Sequence, residues 1–156
     1  MNQEMYIPAG VILGKLTKRY ISILTEKLQH VPIERNFYPL LIIGQKSGEI
    51  SQNELVALMD SDKVSVFRMV DYLEKENMIY KNTSNDDKRC QLLFISEKGK
   101  GYLNDIEKAF KEVDTLFNVI SDNPVIAQQL HQLMSALEKE PGQNISLYYD
   151  RLTNNK

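Results

Sequence analysis

The sequence of 156 residues has one cysteine, two histidines and no tryptophan. A single cysteine cannot form a disulfide within the chain, which fits the reducing environment of the cytoplasm. His30 and His131 are far apart and stand outside any cluster of further ligands, so we expect neither a metal site nor another cofactor. The sequence has no secretory leader pattern and no apolar run of membrane-spanning length, so we predict a cytoplasmic protein without a membrane partner.

Sequence motifs of catalysis are missing as well. The chain has no glycine-rich phosphate loop and no nucleophile elbow, and neither histidine has partner residues in a catalytic pattern. These absences predict a protein that is not an enzyme.

Neither sign of charge predominates, because the net charge is only −2 at pH 7. Residues 62–101 are close to neutral, with eight basic and seven acidic side chains. A partner with a phosphate backbone would therefore have to be bound by individually placed basic side chains rather than by a broad positive field.

Two helices are predicted in the N-terminal third of the chain. Apolar residues recur at helical spacing over residues 9–30, and Val31-Pro32 ends this helix because proline disfavours a helical conformation in the residue before it. A second helix is expected from residue 33 or 34 to residue 46, followed by Ser47-Gly48. Pro39 would kink this helix unless the helix begins later, and the sequence leaves both possibilities open.

Capping signals mark two further helices in the centre of the chain. Ser51 and Glu54 have the spacing of a capping box, which begins a helix. The predicted buried stripe of this helix consists of Leu55, Leu58 and Met59. Asp62 is the expected cap of the next helix, which ends near Asn77, a residue that tolerates a left-handed conformation. The predicted buried stripe of this second helix consists of Val66, Met69, Val70 and Leu73.

Two strands and a long helix follow. Residues 79–83 and 91–95 have the composition of strands, and a polar turn of residues 85–89 joins them. Residues 96–99 begin a long helix whose apolar stripe extends to Ile120, and a further helix starts near residue 122 and is broken at Pro141-Gly142. The order helix, helix, strand, charged turn, strand is that of a winged helix-turn-helix. We therefore predict a mainly α-helical fold with a small β-hairpin wing.

The second helix of such a motif lies in the major groove of DNA, with its first turns against the base edges. The residues of this helix that are predicted to face DNA are Lys63, Val64, Ser65, Phe67, Arg68 and Tyr72. Arg68 could bind phosphate or guanine, and Val64 and Phe67 could contact thymine methyl groups. The alternative is that these side chains form the exposed face of a winged-helix module that binds another protein.

The predicted turn between the strands carries two adjacent basic residues, Lys88 and Arg89. At a solvent-facing turn beside a recognition helix, both could enter the minor groove. Asp87 could pair with Arg89 and so orient its side chain. Basic residues in a polar turn are weak evidence for DNA binding when they stand alone. They become strong evidence when they follow a helix-turn-helix.

At these residues the chain resembles the MarR family of bacterial transcription regulators. The segments that carry the resemblance are 51–55, 62–63, 74–79, 87–89 and 95–99. The order and lengths of the flanking helices extend the resemblance over nearly the whole chain. Members of the family are cytoplasmic homodimers that bind palindromic operators in double-stranded DNA, usually as repressors, and many release DNA when a small molecule binds or a cysteine is oxidised.

The resemblance also implies roles for single residues. Val64, Ser65, Phe67 and Arg68 match positions that contact the groove and the phosphates, and Arg89 matches the minor-groove arginine of the wing. Val64 and Phe67 stand where small hydroxyl residues are common, a departure that concerns the base preference and not the binding mode. The implied organisation is one MarR-like domain over 1–156, with a winged helix-turn-helix lobe at 34–99 and a helical dimerisation region at 1–33 and 100–156.

The terminal segments carry more apolar surface than one small domain needs. Apolar residues beyond Pro141 are Ile145, Leu147, Tyr148, Tyr149 and Leu152. We predict that helices near both ends pack against a second copy, although an intrachain helical bundle would show the same periodicity. A phenolic or aromatic effector would bind between these helices and the winged segment. The candidate contacts are Tyr20, His30 and Tyr38, although the sequence favours an ordinary core or surface role for each.

The single cysteine, Cys90, directly follows Arg89, so its oxidation could displace the wing. A neighbouring cation favours thiol reactivity. The opposing interpretation is a small buried hydrophobic residue in a strand. Redox regulation through Cys90 is therefore an alternative to release by a small molecule.

Overall fold

The computed structural model describes residues 6–84, 90–116, 128–129 and 132. Over residues 6–84 and 90–116 it contains five helices and a three-stranded sheet. In chain order the elements are α1 (Ala9–Lys27), α2 (Phe37–Gln45), β1 (Ile50–Ser51), α3 (Gln52–Met59), α4 (Lys63–Lys75), β2 (Ile79–Thr83), β3 (Gln91–Ile95) and α5 (Glu97–Leu116). The predicted fold class, mainly helical with a small β wing, is confirmed. No helix among the described residues has both the length and the apolar character needed to cross a bilayer.

The first helix ends earlier than predicted, at Lys27 rather than at residue 30. The amide of Val31 donates to the carbonyl oxygen of Leu28 at 2.9 Å, which closes a turn after the helix. This turn directs the side chains of both Leu28 and Val31 into the core, where they are almost fully buried. Because α1 ends four residues before Val31, the residue that Pro32 restricts, the proline does not set the end of the helix.

The second helix begins later than predicted, at Phe37. Glu34 has a φ of +52°, a left-handed conformation that a right-handed helix cannot include. Pro39 is therefore the third residue of α2, where its missing amide hydrogen would have had no intrahelical acceptor. Of the two possibilities that the sequence left open, the later start is the correct one.

The capping box at the start of α3 is confirmed. The amide of Glu54 donates to Oγ of Ser51 at 3.3 Å, and the amide of Ser51 donates to Oε2 of Glu54 at 2.7 Å. Leu55 is fully buried as predicted, but Leu58 is 51% exposed, which corrects its assignment to the core. The helix packs through Leu55 together with Val56 and Met59, so Leu58 lies outside the packed side of this short helix.

The end of α4 follows from Asn77, as predicted. Asn77 has a φ of +58°. Its amide donates to the carbonyl oxygen of Glu74, and the amide of Met78 donates to that of Leu73, both at 2.9 Å. This pair of bonds is a Schellman motif, and the two residues whose side chains usually meet in it, Leu73 and Met78, are both fully buried.

Both predicted strands have the predicted bounds. They pair antiparallel, with Ile79 opposite Ile95 and Thr83 opposite Gln91. The third strand, β1, was not predicted, because two residues are too short for an alternating pattern. It pairs with β3, which places β3 at the centre of the sheet in the order β1-β3-β2.

One apolar core joins the sheet to the helices. Its largest fully buried side chains are Leu28, Ile33, Leu40, Ile43, Ile50, Leu55, Val66, Val70, Leu73, Met78, Leu93 and Ile106. On α5, Ile106 and Val113 are buried in agreement with the predicted stripe, whereas Leu116 is 65% exposed. The remainder of that stripe to Ile120, the helix expected from residue 122 and the tail beyond Pro141 lie outside the described residues.

Candidate DNA-binding interface

The helix expected to enter the major groove, α4, turns one side into the core and the other towards solvent. Its fully buried residues are Val66, Val70 and Leu73, all of them predicted. Met69, the fourth predicted member of the stripe, is half-buried. Since successive residues of an α-helix are separated by roughly 100°, Val64 and Arg68 lie opposite the stripe. Both side chains are exposed, so they point away from the protein.

The six residues predicted to face DNA from α4 divide into two groups. The exposed residues are Lys63, Val64 and Arg68. The half-buried residues are Ser65, Phe67 and Tyr72. Val64 and Arg68 form the outward face of α4, whereas Lys63 and the half-buried residues lie along its margins.

The N-terminal end of α4 is held by Asp62. Its Oδ1 accepts a hydrogen bond from the amide of Ser65 at 2.8 Å, and its carbonyl oxygen accepts from the amide of Val66 at 3.1 Å. The amides of Lys63 and Val64 precede the first acceptors that the helix itself can supply. Together with the positive end of the helix dipole, such amides favour an anionic group, and the carboxylate of Asp62 supplies one.

Lys63 and Phe67 contact each other on one margin of this face. The Nζ atom of Lys63 lies 5.2 Å from the centroid of the Phe67 ring, a cation–π contact. Lys63 and Phe67 are one helical turn apart, so the contact fixes the direction of the lysine side chain. The ammonium covers a face of the ring, which reduces the apolar surface that Phe67 can offer to a base.

Arg68 has no carboxylate within ion-pair distance among the described residues. Its guanidinium is therefore available for a phosphate or for the O6 and N7 atoms of guanine. Tyr72 differs from Arg68, because its ring packs against the core. Burial, followed by the charges of Glu34 and Glu76, raises the pKa of Tyr72. Its surroundings favour a packing role, and a DNA contact by Tyr72 stays a prediction.

The sheet is tied to α4 through Lys81 of β2, which sequence reasoning missed. The Nζ atom of Lys81 lies 2.6 Å from Oδ1 of Asp71 and 3.0 Å from Oε2 of Glu74, both on α4. Burial lowers the pKa of Lys81, but the hydrogen bonds and charges of both carboxylates raise it by more, so the net shift is upward. The sequence contained a signal for this contact. Asp71 and Glu74 are three residues apart on one helix, and Lys81 follows only six residues after the end of that helix.

Two aromatic rings pack against each other at the base of the wing. The rings of Tyr80 in β2 and Phe94 in β3 are stacked, with centroids 5.2 Å apart and an interplanar angle of 11°. Beyond the paired strands, the amide of Ser84 donates to the carbonyl oxygen of Cys90 at 2.9 Å. The Cys90 side chain is half-buried and its thiol is free, so neither interpretation of this cysteine is decided.

The predicted minor-groove residues Lys88 and Arg89, and the orienting Asp87, lie outside the described residues. Their roles stay predictions.

The three candidate effector contacts all meet α5, but not at one place. The Tyr20 hydroxyl donates to Oδ1 of Asp114 at 2.7 Å, and the Tyr38 ring packs edge-on against Phe110 with centroids 6.2 Å apart. Asp114 and Phe110 are one turn apart on the same side of α5. Burial, then the hydrogen bond and charge of Asp114, raise the pKa of Tyr20.

His30 lies elsewhere on α5. Its Nε2 is 3.0 Å from Oδ2 of Asp105, and both side chains are exposed. Asp105 is nine residues from Asp114, which places it on the opposite side of a helix with 3.6 residues per turn. The structure therefore groups Tyr20 with Tyr38 and separates His30 from them.

Residues 36–91 match the model of the MarR family. The matched segment extends from the start of α2 into β3 and includes α3, α4 and the segment that joins the two long strands. It therefore contains every residue that we assign to the candidate interface.

Solved structures of the same fold cover nearly the whole chain. A MarR-family regulator from Listeria monocytogenes, complexed with a 26mer DNA, has a TM-score of 0.70 and 19% identity, and the match covers 97% of this chain and 99% of that chain. The MepR-DNA complex from S. aureus has a TM-score of 0.77 and 15% identity over 85% and 99% of the two chains. At these identities the likeness establishes a shared fold.

A third similar structure contains a small molecule instead of DNA. It is CouR from Rhodococcus jostii RHA1 bound to p-coumaroyl-CoA, with a TM-score of 0.70 and 16% identity over 91% of this chain and 99% of that chain. The same fold is thus found both in complexes with DNA and in a complex with a ligand that carries a phenol group.

Proposed function

We propose that the chain is a winged helix-turn-helix transcription regulator of the MarR family, whose model matches residues 36–91, and that it represses transcription from a palindromic operator. In this proposal residues 1–156 are one domain, which binds DNA as a homodimer and is released by a small phenolic or aromatic molecule. The observation that carries the proposal is the outward face of α4. Val64 and Arg68 lie opposite its buried stripe, and both side chains are exposed.

The side chains of the proposed interface bind different parts of the DNA. Arg68 binds a guanine or a phosphate, and Lys63, held over Phe67, binds a phosphate beside it. Ser65 supplies a further contact to the backbone of the DNA. Arg89 and Lys88 of the wing enter the adjacent minor groove. Two similar structures contain DNA in complex with a protein of this fold, which supports DNA binding by this chain.

The proposal of a homodimer rests on α1. Exposed large apolar side chains on and before this helix are Tyr6, Ile7, Val11, Ile12 and Leu16. Leu24 is the only buried residue of α1, so the N-terminal half of the helix is left uncovered by the described part of the chain. A second copy related by a two-fold axis would cover this surface and would place two recognition helices about 34 Å apart. The operator would then be palindromic.

The effector site is proposed beside Tyr20 and Tyr38. Their hydroxyl groups and the Phe110 ring can bind an aromatic ligand between α1, α2 and α5. These helices connect the uncovered half of α1 with the helix-turn-helix. A ligand that binds better when the two recognition helices are wrongly spaced for DNA would lower operator affinity. The complex of CouR with p-coumaroyl-CoA supports a ligand of this chemical class.

The test uses the full chain and a duplex recovered by it from a pool of random synthetic DNA. We expect Arg68→Ala to weaken binding by about 1–3 kcal/mol, or roughly five- to 150-fold. Arg19→Ala is the matched control, because Arg19 is an exposed arginine on α1. Binding should weaken steeply with salt, and the slope should be smaller for Arg89→Ala than for the wild type.

Two results would contradict the proposal. Recovery of no enriched duplex would exclude sequence-specific binding. If Arg68→Ala and Arg89→Ala both bound the recovered duplex like the wild type, the assigned interface would be wrong. Titration of the complex with phenolic acids and their thioesters then tests release, with Tyr38→Ala as the variant expected to be insensitive.

A further inference from the structure

Val64 is the one large apolar side chain that α4, a fully described helix, leaves exposed. It is 59% accessible, although single apolar residues on a protein surface are common and need no explanation. Its position is what makes it informative. It lies in the first turn, opposite the buried stripe and one turn before Arg68, at the centre of the face that is proposed to meet the bases.

Phe67, the second apolar residue of this region, is less suited to contact a base. It is half-buried, and the Lys63 ammonium lies 5.2 Å from the centre of its ring. A base that approached this face of the ring would have to displace the lysine. Val64 is therefore the apolar side chain that can approach the floor of the groove without a rearrangement.

We propose that Val64 reads a thymine of the operator through its 5-methyl group. This inference rests on the proposed binding of DNA and adds which base the first turn of α4 recognises. A valine side chain neither donates nor accepts hydrogen bonds, and the thymine methyl is the apolar feature of the major-groove edges. Contact with any other base edge would remove water from a polar atom without replacing its hydrogen bond.

The place of this thymine relative to the base bound by Arg68 follows from helix geometry. Four residues of an α-helix span about 6 Å along its axis, and stacked bases of one strand are separated by about 3.4 Å. Val64 and Arg68 thus reach bases about two steps apart. The operator half-site should have a thymine within about two base pairs of the guanine that Arg68 binds.

The test replaces each thymine of the recovered duplex in turn by deoxyuridine, which removes the methyl group and keeps every hydrogen-bonding group. We expect wild-type affinity to fall about fourfold at one thymine in each half-site, and about fifteenfold when both are replaced. Val64→Ala changes both subunits, so its affinity for the thymine duplex should fall as much as wild-type affinity falls when both thymines are replaced. It should bind the thymine and the deoxyuridine duplexes equally at that position.

Leu58→Ala is the matched control, since Leu58 is also an exposed apolar residue and lies on α3 rather than α4. This variant should keep the wild-type sensitivity to deoxyuridine. If Val64→Ala and the wild type showed the same loss at every thymine, the inference would be overturned while the proposed function stood. Failure of the wild type to enrich any duplex would overturn both.

Discussion

The ammonium nitrogen of Lys81 lies 2.6 Å from Oδ1 of Asp71 and thereby joins strand β2 to the recognition helix α4. Glu74, one turn after Asp71 on the same side of the helix, accepts a second contact at 3.0 Å. The lysine side chain is only 16% exposed. The ion pair fixes the position of β2 relative to α4.

Replacement of Lys81 by methionine should therefore lower the free energy of unfolding by about 1 kcal/mol, a small value because Asp71 is itself 67% exposed. The pKa of Lys81 is raised above 10.5 in the folded protein, so its contribution is complete below that pH and is lost as the pH rises through the raised pKa. Urea denaturation at neutral pH and above pH 10.5 measures both effects. The difference between the wild type and Lys81→Met should shrink in the alkaline range.

Lys100→Met is the matched control for this prediction. Lys100 forms an ion pair with Glu97 within α5, and both side chains are largely exposed. Its loss should leave stability nearly unchanged. Equal effects of the two substitutions would mean that Lys81 is an ordinary surface lysine.

A second prediction concerns two glycines of α5. A methyl group at Gly99 would collide with the carbonyl oxygen of Met78 and would lie 2.7 Å from Cδ1 of Ile95, whereas at Gly101 it meets no described atom within 4 Å. Gly99→Ala should destabilise the protein by about 1–3 kcal/mol through this overlap. Gly101→Ala should stabilise it by about 0.5–1 kcal/mol, because alanine favours the helix. Chemical denaturation of both variants, in parallel, checks the opposite signs.

Local signals account for the parts of the fold that the sequence predicted well. The capping box of Ser51 and Glu54, the left-handed Asn77 and the bounds of β2 and β3 each depend on residues within a few positions of one another. The outward position of Arg68 follows in the same way from the buried stripe of its own helix. Such features need no knowledge of distant partners.

Features that depend on distant partners were missed. The strand β1 exists only because Ile50 finds Leu93 across the sheet, and Leu58 is exposed because α3 packs through a different side. The contact of Lys81 with Asp71 likewise depends on how β2 returns along α4. The partners of these residues are known only once the chain is folded. Periodicity in the sequence cannot identify them.

A third prediction concerns acid. Hydrogen bonds from the amide and then the hydroxyl of Ser51 lower the pKa of Glu54 below 4.5. The stabilisation from this group is therefore present above pH 4.5 and is lost as the pH falls through the lowered pKa. Glu54→Gln should be less stable than the wild type at neutral pH, and the difference should narrow below pH 4.5. Asn53→Ala, an exposed and uncharged change in the same turn, should show no such pH dependence in urea denaturation.

The last prediction separates a dimer from an intrachain bundle. Ile12 is 47% exposed on the uncovered half of α1. In a two-fold interface, Ile12→Glu would bury a carboxylate without a partner, at a cost of several kcal/mol on each side. Light scattering should give the wild type about twice the mass of the 18.0 kDa chain and should give Ile12→Glu the mass of one chain.

Thr17→Glu is the control for charge, because Thr17 is an exposed polar residue of the same helix. It should stay dimeric, and thermal unfolding should show all three proteins folded, since the buried contacts of α1 lie at Leu24. A wild type with the mass of one chain at micromolar concentration would contradict the homodimer. A palindromic operator would then no longer be expected, because the spacing of the two recognition helices of a dimer is what relates the half-sites.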